Sequence, residues 1–152
     1  MPDPALQGIS VAWNHIATSE ANGDLSVNLL LSYQDDAVEI ISHLPQAGHV
    51  TVKLKMPLPK LRIRVPTGCD RRSLNVQINN QATPFEYAED YLKLSAVATG
   101  VQIDMTFEQT EFFTQERALG HTEPFRVAWR GNTVLAISGT TPHMPLYPAL
   151  AE

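Results

Sequence analysis

The sequence predicts an all-β fold: a two-sheet antiparallel β-sandwich, jelly-roll-like, with about eight to ten short strands. Three observations carry this. Apolar and polar side chains alternate with period two in many brief segments, and turn residues interrupt them about every 8 to 12 positions. No stretch holds a helical period long enough for the repeated helices of a doubly wound fold, each of which needs at least about ten residues.

With 152 residues, 43% hydrophobic and 18% charged, the chain can bury one respectable core, and no linker divides it. Its 11 basic and 16 acidic residues leave a formal net charge of -5, which repels a phosphate backbone and excludes nucleic acid as a general partner. Cys69 is the one cysteine, so neither an intramolecular disulfide framework nor a cysteine-rich metal knot can form. No apolar run approaches the roughly 20 residues that span a bilayer, and the start lacks an export signal. The expectation is no membrane partner and a reducing cytoplasm.

Residues 1–23 are read as an N-terminal edge strand and linker, with Ile9, Val11 and Trp13 at alternate positions, and 24–152 as the sandwich. Leu25, Val27, Leu29 and Leu31 alternate with Ser26, Asn28, Leu30 and Ser32, so residues 25–33 read as one strand whose second face also needs cover at Leu30. Asp35 and Asp36 end it. Val38, Ile40 and Ile41 open a short strand, and Val50, Val52, Leu54 and Met56 form the buried face of the next. Leu61, Ile63 and Val65 oppose Arg62 and Arg64, while Leu74, Val76 and Ile78 oppose Asn75, Gln77 and Asn79. Asn79-Asn80-Gln81 reverses the chain, since a short amide suits the left-handed conformation. Tyr91 to Leu94 form a further strand. Val101, Ile103, Met105 and Phe107 give the cleanest inward face of all, each worth roughly 1.5 to 3 kcal/mol when fully buried. Residues 108–124 hold either one helical turn or an irregular excursion. Phe125, Val127 and Trp129 resume strand spacing, which places Trp129 in the core, and a turn at Arg130-Gly131-Asn132 leads to a last strand over 133–138. Pro142, Pro145 and Pro148 make the end an extended tail or strap.

No complete active site can be assembled from these residues, and no catalytic residue is assigned. Glycoside chemistry needs two acids about 5 to 9.5 Å apart. Asp104, Glu108 and Glu111 are the candidates, and each also reads as a solvated strand residue. His15, His43, His49, His121 and His143 are scattered without ligand spacing, so no metal and no cofactor is expected. Cys69 reads as a free thiol in a turn, with activation by Arg71 or Arg72 as the sharper alternative. A carbohydrate site is the best binding hypothesis, because sugar rings are held by an aromatic face together with planar amide or guanidinium groups. Trp13, Arg62, Arg64, Asn75, Gln77 and Tyr91 are the residues assigned to it. Tyr33, Tyr87 and Trp129 offer further rings.

Several of these pieces occur in one order. Val27-Asn28-Leu29-Leu30 looks like a VNLY strand, Leu61-Arg62-Ile63-Arg64-Val65-Pro66 like an LRIPGW pattern, and Val76-Gln77-Ile78-Asn79-Asn80 like a VNG hairpin. Tyr91-Leu92-Lys93-Leu94 follows as a YLxL strand, and Arg126 to Leu135 is similar to RVALxRGPLVY. In this order the chain resembles the C-terminal β-sandwich portion of the bacterial β-L-arabinofuranosidase family of glycoside hydrolases. The resemblance implies the sandwich fold. It also implies a catalytic helical barrel, with a cysteine nucleophile near a zinc held by cysteine and glutamate, lying before the VNLY-like strand. No cysteine precedes that strand here, and Cys69 does not map onto the nucleophile. The reading is therefore a non-catalytic accessory or interaction module, with a carbohydrate-binding module and a small glycoside-processing enzyme as alternatives. Its partners would be a catalytic domain, a second copy in a homodimer, or a carbohydrate.

Overall fold

The structure is a computed structural model and describes residues 4–117 and 124–138. The proline-punctuated tail, Gly120, Gly139, His121 and His143 lie outside the described residues. Period-two alternation is realised as two facing sheets. In the first, β1 (Ala17–Ser19), β2 (Leu25–Val27), β6 (Leu58–Arg64), β10 (Tyr91–Val97) and β9 (Glu86–Ala88) lie side by side in that order. In the second the order is β3 (Tyr33–Gln34), β4 (Val38–Ser42), β5 (His49–Leu54), β11 (Gln102–Gln109), β7 (Cys69–Ile78) and β8 (Gln81–Ala82). Pairing is antiparallel throughout these layers except between β2 and β6, where Leu25, Ser26 and Val27 run parallel beside Leu61, Arg62 and Ile63.

The inner faces of the two sheets share one core. Leu25, Val27, Leu61, Ile63, Leu92 and Leu94 descend from the first and Val50, Val52, Leu54, Val76, Ile103 and Met105 from the second, all buried in a single cluster. Phe107 joins them and Val101 packs at the margin, so the face with the cleanest alternation is indeed an inward face. Met56 departs from its expected place: β5 ends at Leu54, and Met56 is exposed. Asp35 stops the chain before β4 by accepting hydrogen bonds from the backbone N–H of Ala37 and Val38, both at 2.8 Å. Asn79 (φ 49°) and Asn80 (φ 65°) form the two-residue reversal between β7 and β8, a left-handed pair that matches the twist of a hairpin.

Further expectations are corrected. Ile9, Val11 and Trp13 lie not on an edge strand but on a helix, α1 (Pro4–Asn14). Three alternating residues discriminate poorly between the two periods, and a proline at the first helical position is pre-organised for a helix. The edge of the first sheet is β1 instead. Residues 25–33 are not one strand, because Asn28 and Leu29 donate their backbone N–H groups to Ile16 O and pull the chain out of the sheet. Leu30 then turns inward and is buried, while Leu31 is 52% exposed. Residues 108–124 hold neither helix nor excursion in their described part: β12 (Glu111–Glu116) pairs with β13 (Phe125–Arg130), which pairs with β14 (Thr133–Ile137) in a third, three-stranded sheet. Trp129 belongs to that sheet, half-buried against Phe112 and outside the main core. The described strands number fourteen, since β3, β8 and β9 are pieces of two or three residues, too short to show a period.

Candidate functional site

The six residues assigned to sugar binding do not form one site. Leu61 and Ile63 face the core, so Arg62 and Arg64 point outward from the first sheet, with Tyr91 beside them. Val76 faces the same core from the opposite side, so Asn75 and Gln77 point outward from the second sheet. The whole thickness of the sandwich separates the two groups. Trp13 stands apart on α1, its ring edge-on to Tyr33 with centroids 5.9 Å apart.

On the first sheet, the predicted residues mostly hold one another. Arg62 donates its Nε–H to Ser26 Oγ at 2.9 Å, pairs with Glu20, and lies over the Tyr91 ring, with Cζ 5.6 Å from its centroid. Tyr91 donates its hydroxyl to Asn28 Oδ1 at 2.8 Å, and Asn28 Nδ2 donates to His15 O and Thr18 Oγ1. This chain of bonds ties the end of α1 to the sheet. It leaves Arg64 as the one assigned residue of that face without a hydrogen bond or ion pair to any described residue.

The acids are equally dispersed. Asp104 lies on the outer face of the second sheet, where it accepts from Thr51 Oγ1 at 2.6 Å and Gln102 Nε2 at 2.7 Å, and meets His49 Nε2 at 3.2 Å. Burial pushes its carboxyl up, but the bonds from Thr51, Gln102 and His49 outweigh that and hold it below its ordinary value. His49 also stacks on His43 with centroids 4.9 Å apart, a pairing that no sequence spacing signals. Glu108 is exposed beyond a register shift in β11, and Glu111 binds Arg130 at 2.7 Å on the third sheet. Asp104 and Glu111 are thus engaged separately, on different sheets, and Glu108 stands exposed. Among the described residues no three His, Cys, Asp or Glu side chains converge as metal ligands. Cys69 is a buried free thiol, and burial raises its pKa more than Arg71 lowers it, which opposes the activation considered from sequence.

A concave feature lies where the three sheets meet. A cleft of about 530 Å³ opens between the 28–32 segment, the chain from Arg64 to Gly68, the end of β11 and the turn between β13 and β14. Leu30, Leu44, Pro45 and Phe107 supply apolar wall, and Arg64, Thr67, Gln109 and Asn132 supply polar groups. Two glycines hold its back together. Thr110 donates its N–H to Gly68 O at 3.0 Å and accepts at 2.9 Å from the N–H of Gly131. A Cβ added to Gly68 would stand 2.5 Å from Gly131 Cα, so the two backbones approach only because the side chain is absent. Arg64 is the single assigned residue in this cleft. Gln109, Asn132 and Thr67 escaped sequence reasoning because they sit at strand ends and turns, where no period marks them. The signal that existed was the pair of breaks at Pro66-Thr67-Gly68 and Gly131-Asn132.

The fold has solved counterparts. A glycoside hydrolase superposes with a TM-score of 0.61 at 18% identity, over 85% of this chain and 24% of its own. The GH127 β-L-arabinofuranosidase of Geobacillus stearothermophilus T6 gives a TM-score of 0.62 at 18% identity, over 86% of this chain and 23% of that one. A further GH127 β-arabinofuranosidase gives 0.56 at 16% identity, over 76% and 22%. At such identities the likeness is one of fold, and the chain spans about a quarter of the length of these enzymes. No protein-family model matches the chain, and no curated protein does.

Proposed function

We propose that the chain is a non-catalytic β-sandwich module, related to those of glycoside hydrolases, that works as an accessory or interaction unit by packing α1 against another polypeptide. The observation that carries this reading is the bareness of the helix. Every side chain from Gln7 to Asn14 is exposed, including Ile9 at 66%, Val11 at 59% and Trp13 at 55%. An isolated helix shorter than about 12 to 15 residues is marginal in water, and an internal glycine such as Gly8 costs about 1 kcal/mol more. The edge-on contact of Trp13 with Tyr33 does not offset that. A second polypeptide laid over Ile9 and Trp13, which share one helical face, supplies the missing burial.

The partner is a second copy of the chain, giving a homodimer, or a separate catalytic domain. Light scattering on the purified chain at micromolar concentration separates these, read together with amide hydrogen exchange over residues 4–14. A dimer dissolved by the Ile9→Ser, Trp13→Ser double substitution supports self-association, and a monomer with an unprotected helix supports a separate partner. A monomer whose helix is fully protected overturns the reading. Assays on arabinosides and related glycosides are expected to show no turnover. A buried free thiol suits the reducing cytoplasm expected from the sequence. Carbohydrate binding is a second reading, and what favours it is the cleft beside Arg64 rather than the dispersed residues first assigned to it. No helix among the described residues is long and apolar enough to cross a membrane.

A further inference from the structure

We propose that the cleft at the junction of the three sheets binds a small sugar acid, a uronate of one or two rings, with Arg64 receiving its carboxylate. This rests on the carbohydrate reading of the cleft and names the ligand class. The volume of about 530 Å³ falls within the roughly 300 to 1,000 Å³ of small-molecule sites, and the lining combines apolar wall with a few polar groups as such sites do.

Charge selects the ligand. Among the described residues, Arg64 is the only ionisable one lining the cleft. Of the other described arginines, Arg62 pairs with Glu20, Arg71 with Asp90 and Arg130 with Glu111, and Arg126 lies over the Phe113 ring, while Arg72 and Arg117 are exposed and line no part of the cleft. A guanidinium with no hydrogen bond or ion pair to a described residue, on a residue at the cleft wall of a chain carrying a net charge of -5, is a fork shaped for one carboxylate. A phosphate ester carries about twice that charge at neutral pH and would call for a second cation, which the described lining residues do not supply.

The remaining groups select the body of the ligand. The side chains of Thr67, Gln109 and Asn132 make no hydrogen bond to a described residue, so their donors and acceptors are available to hydroxyls. Ser32 and Ser42, by contrast, already accept from the backbone N–H of Ser42 and Leu44. Leu30, Leu44 and Phe107 offer apolar surface to the C–H face of a ring. No tryptophan or tyrosine among the described residues lines the cleft, so they offer no flat platform for a long glycan chain to lie along. The staple of Gly68, Thr110 and Gly131 forms the cavity before any ligand arrives, so little ordering is left to binding.

The test is calorimetric and NMR titration of the full chain with D-galacturonate and D-glucuronate, beside D-galactose and acetate. At least one uronate should bind saturably in the millimolar range, shift the amide signals of residues 64–68 and 131–133, and weaken at least about tenfold in Arg64→Ala. Galactose and acetate should each bind at least about tenfold more weakly than that uronate, since each keeps only half of the recognised chemistry. Equal binding of galactose and uronate leaves the carbohydrate reading standing and overturns this one. Binding of acetate alone, or of none of the four, overturns both. Should Arg64→Ala fail to fold, Gln109→Ala and the loss of uronate affinity at high salt read the same contacts.

Discussion

The sandwich and the third sheet are built from strands with the same kind of alternation and end in opposite states. In the two facing sheets, Ile63, Leu92, Ile103 and Met105 are sealed from water because each inner face meets another. In β12–β14 only Val127 is buried, while Phe112 is 40% and Phe113 59% exposed. The third sheet holds together by edge contacts: Phe112 stacks on Trp129 with centroids 6.0 Å apart, Trp129 Nε1 donates to Thr114 Oγ1 at 2.9 Å, and Arg126 lies 3.7 Å over Phe113. Alternation makes a strand amphipathic, but a core also requires a second layer facing it.

The sharpest way to break this contrast is a matched pair of truncations. Ile103→Ala should destabilise the chain by about 2 to 5 kcal/mol in urea unfolding, since it removes packed atoms and leaves a cavity. Phe113→Ala should cost less than about 1 kcal/mol, because more than half of that side chain already faces water. Equal costs would mean the third sheet is as well packed as the sandwich. Next comes the junction. Gly68→Ala forces Gly131 to move and should cost about 1 to 3 kcal/mol, with faster amide exchange concentrated in residues 111–116 and 125–137. Loss spread evenly over the molecule would show that the staple belongs to the core rather than to the joint.

Smaller effects set the outer face of the sandwich against the third sheet. Asp104 has a folded pKa below its ordinary value of 3.8, so its contribution is fully present above that pH and is lost as pH falls through the folded value. Asp104→Asn should therefore cost about 1 kcal/mol at pH 7 and progressively less in acid, measured by urea unfolding at several pH values. A cost independent of pH would remove the charge from the explanation. Smallest of all is Glu111→Gln, which breaks an exposed pair with Arg130 on the third sheet and should change stability by less than about 0.5 kcal/mol.

The elements that sequence reading placed correctly share a property. Val50 to Leu54, Leu61 to Val65 and Ile103 to Phe107 each put apolar residues on one side and only polar or charged residues between them, so both sides of the strand report the same period of two. Misreadings fell where that division of sides failed. Ile9, Val11 and Trp13 have the apolar Ala12 among them, and the adjacent Phe112 and Phe113 break alternation, so a helix and a strand went unrecognised there. The site fared worse for a related reason. Alternation reveals which face of its own sheet a residue occupies, and Arg62 and Gln77 are both outward, yet it carries no information about which side of the sandwich that face becomes.

Local chemistry along the chain thus determined the strands, the Asn79-Asn80 reversal and the identity of the core, because each depends on residues within a few positions of one another. Three results required the folded chain: the separation of Arg62 and Tyr91 from Asn75 and Gln77, the exposure of α1, and the meeting of Gly68 with Gly131 behind Arg64. Those depend on the order in which strands lie side by side. That order is decided by which apolar faces close on each other, not by the spacing of residues within any one of them.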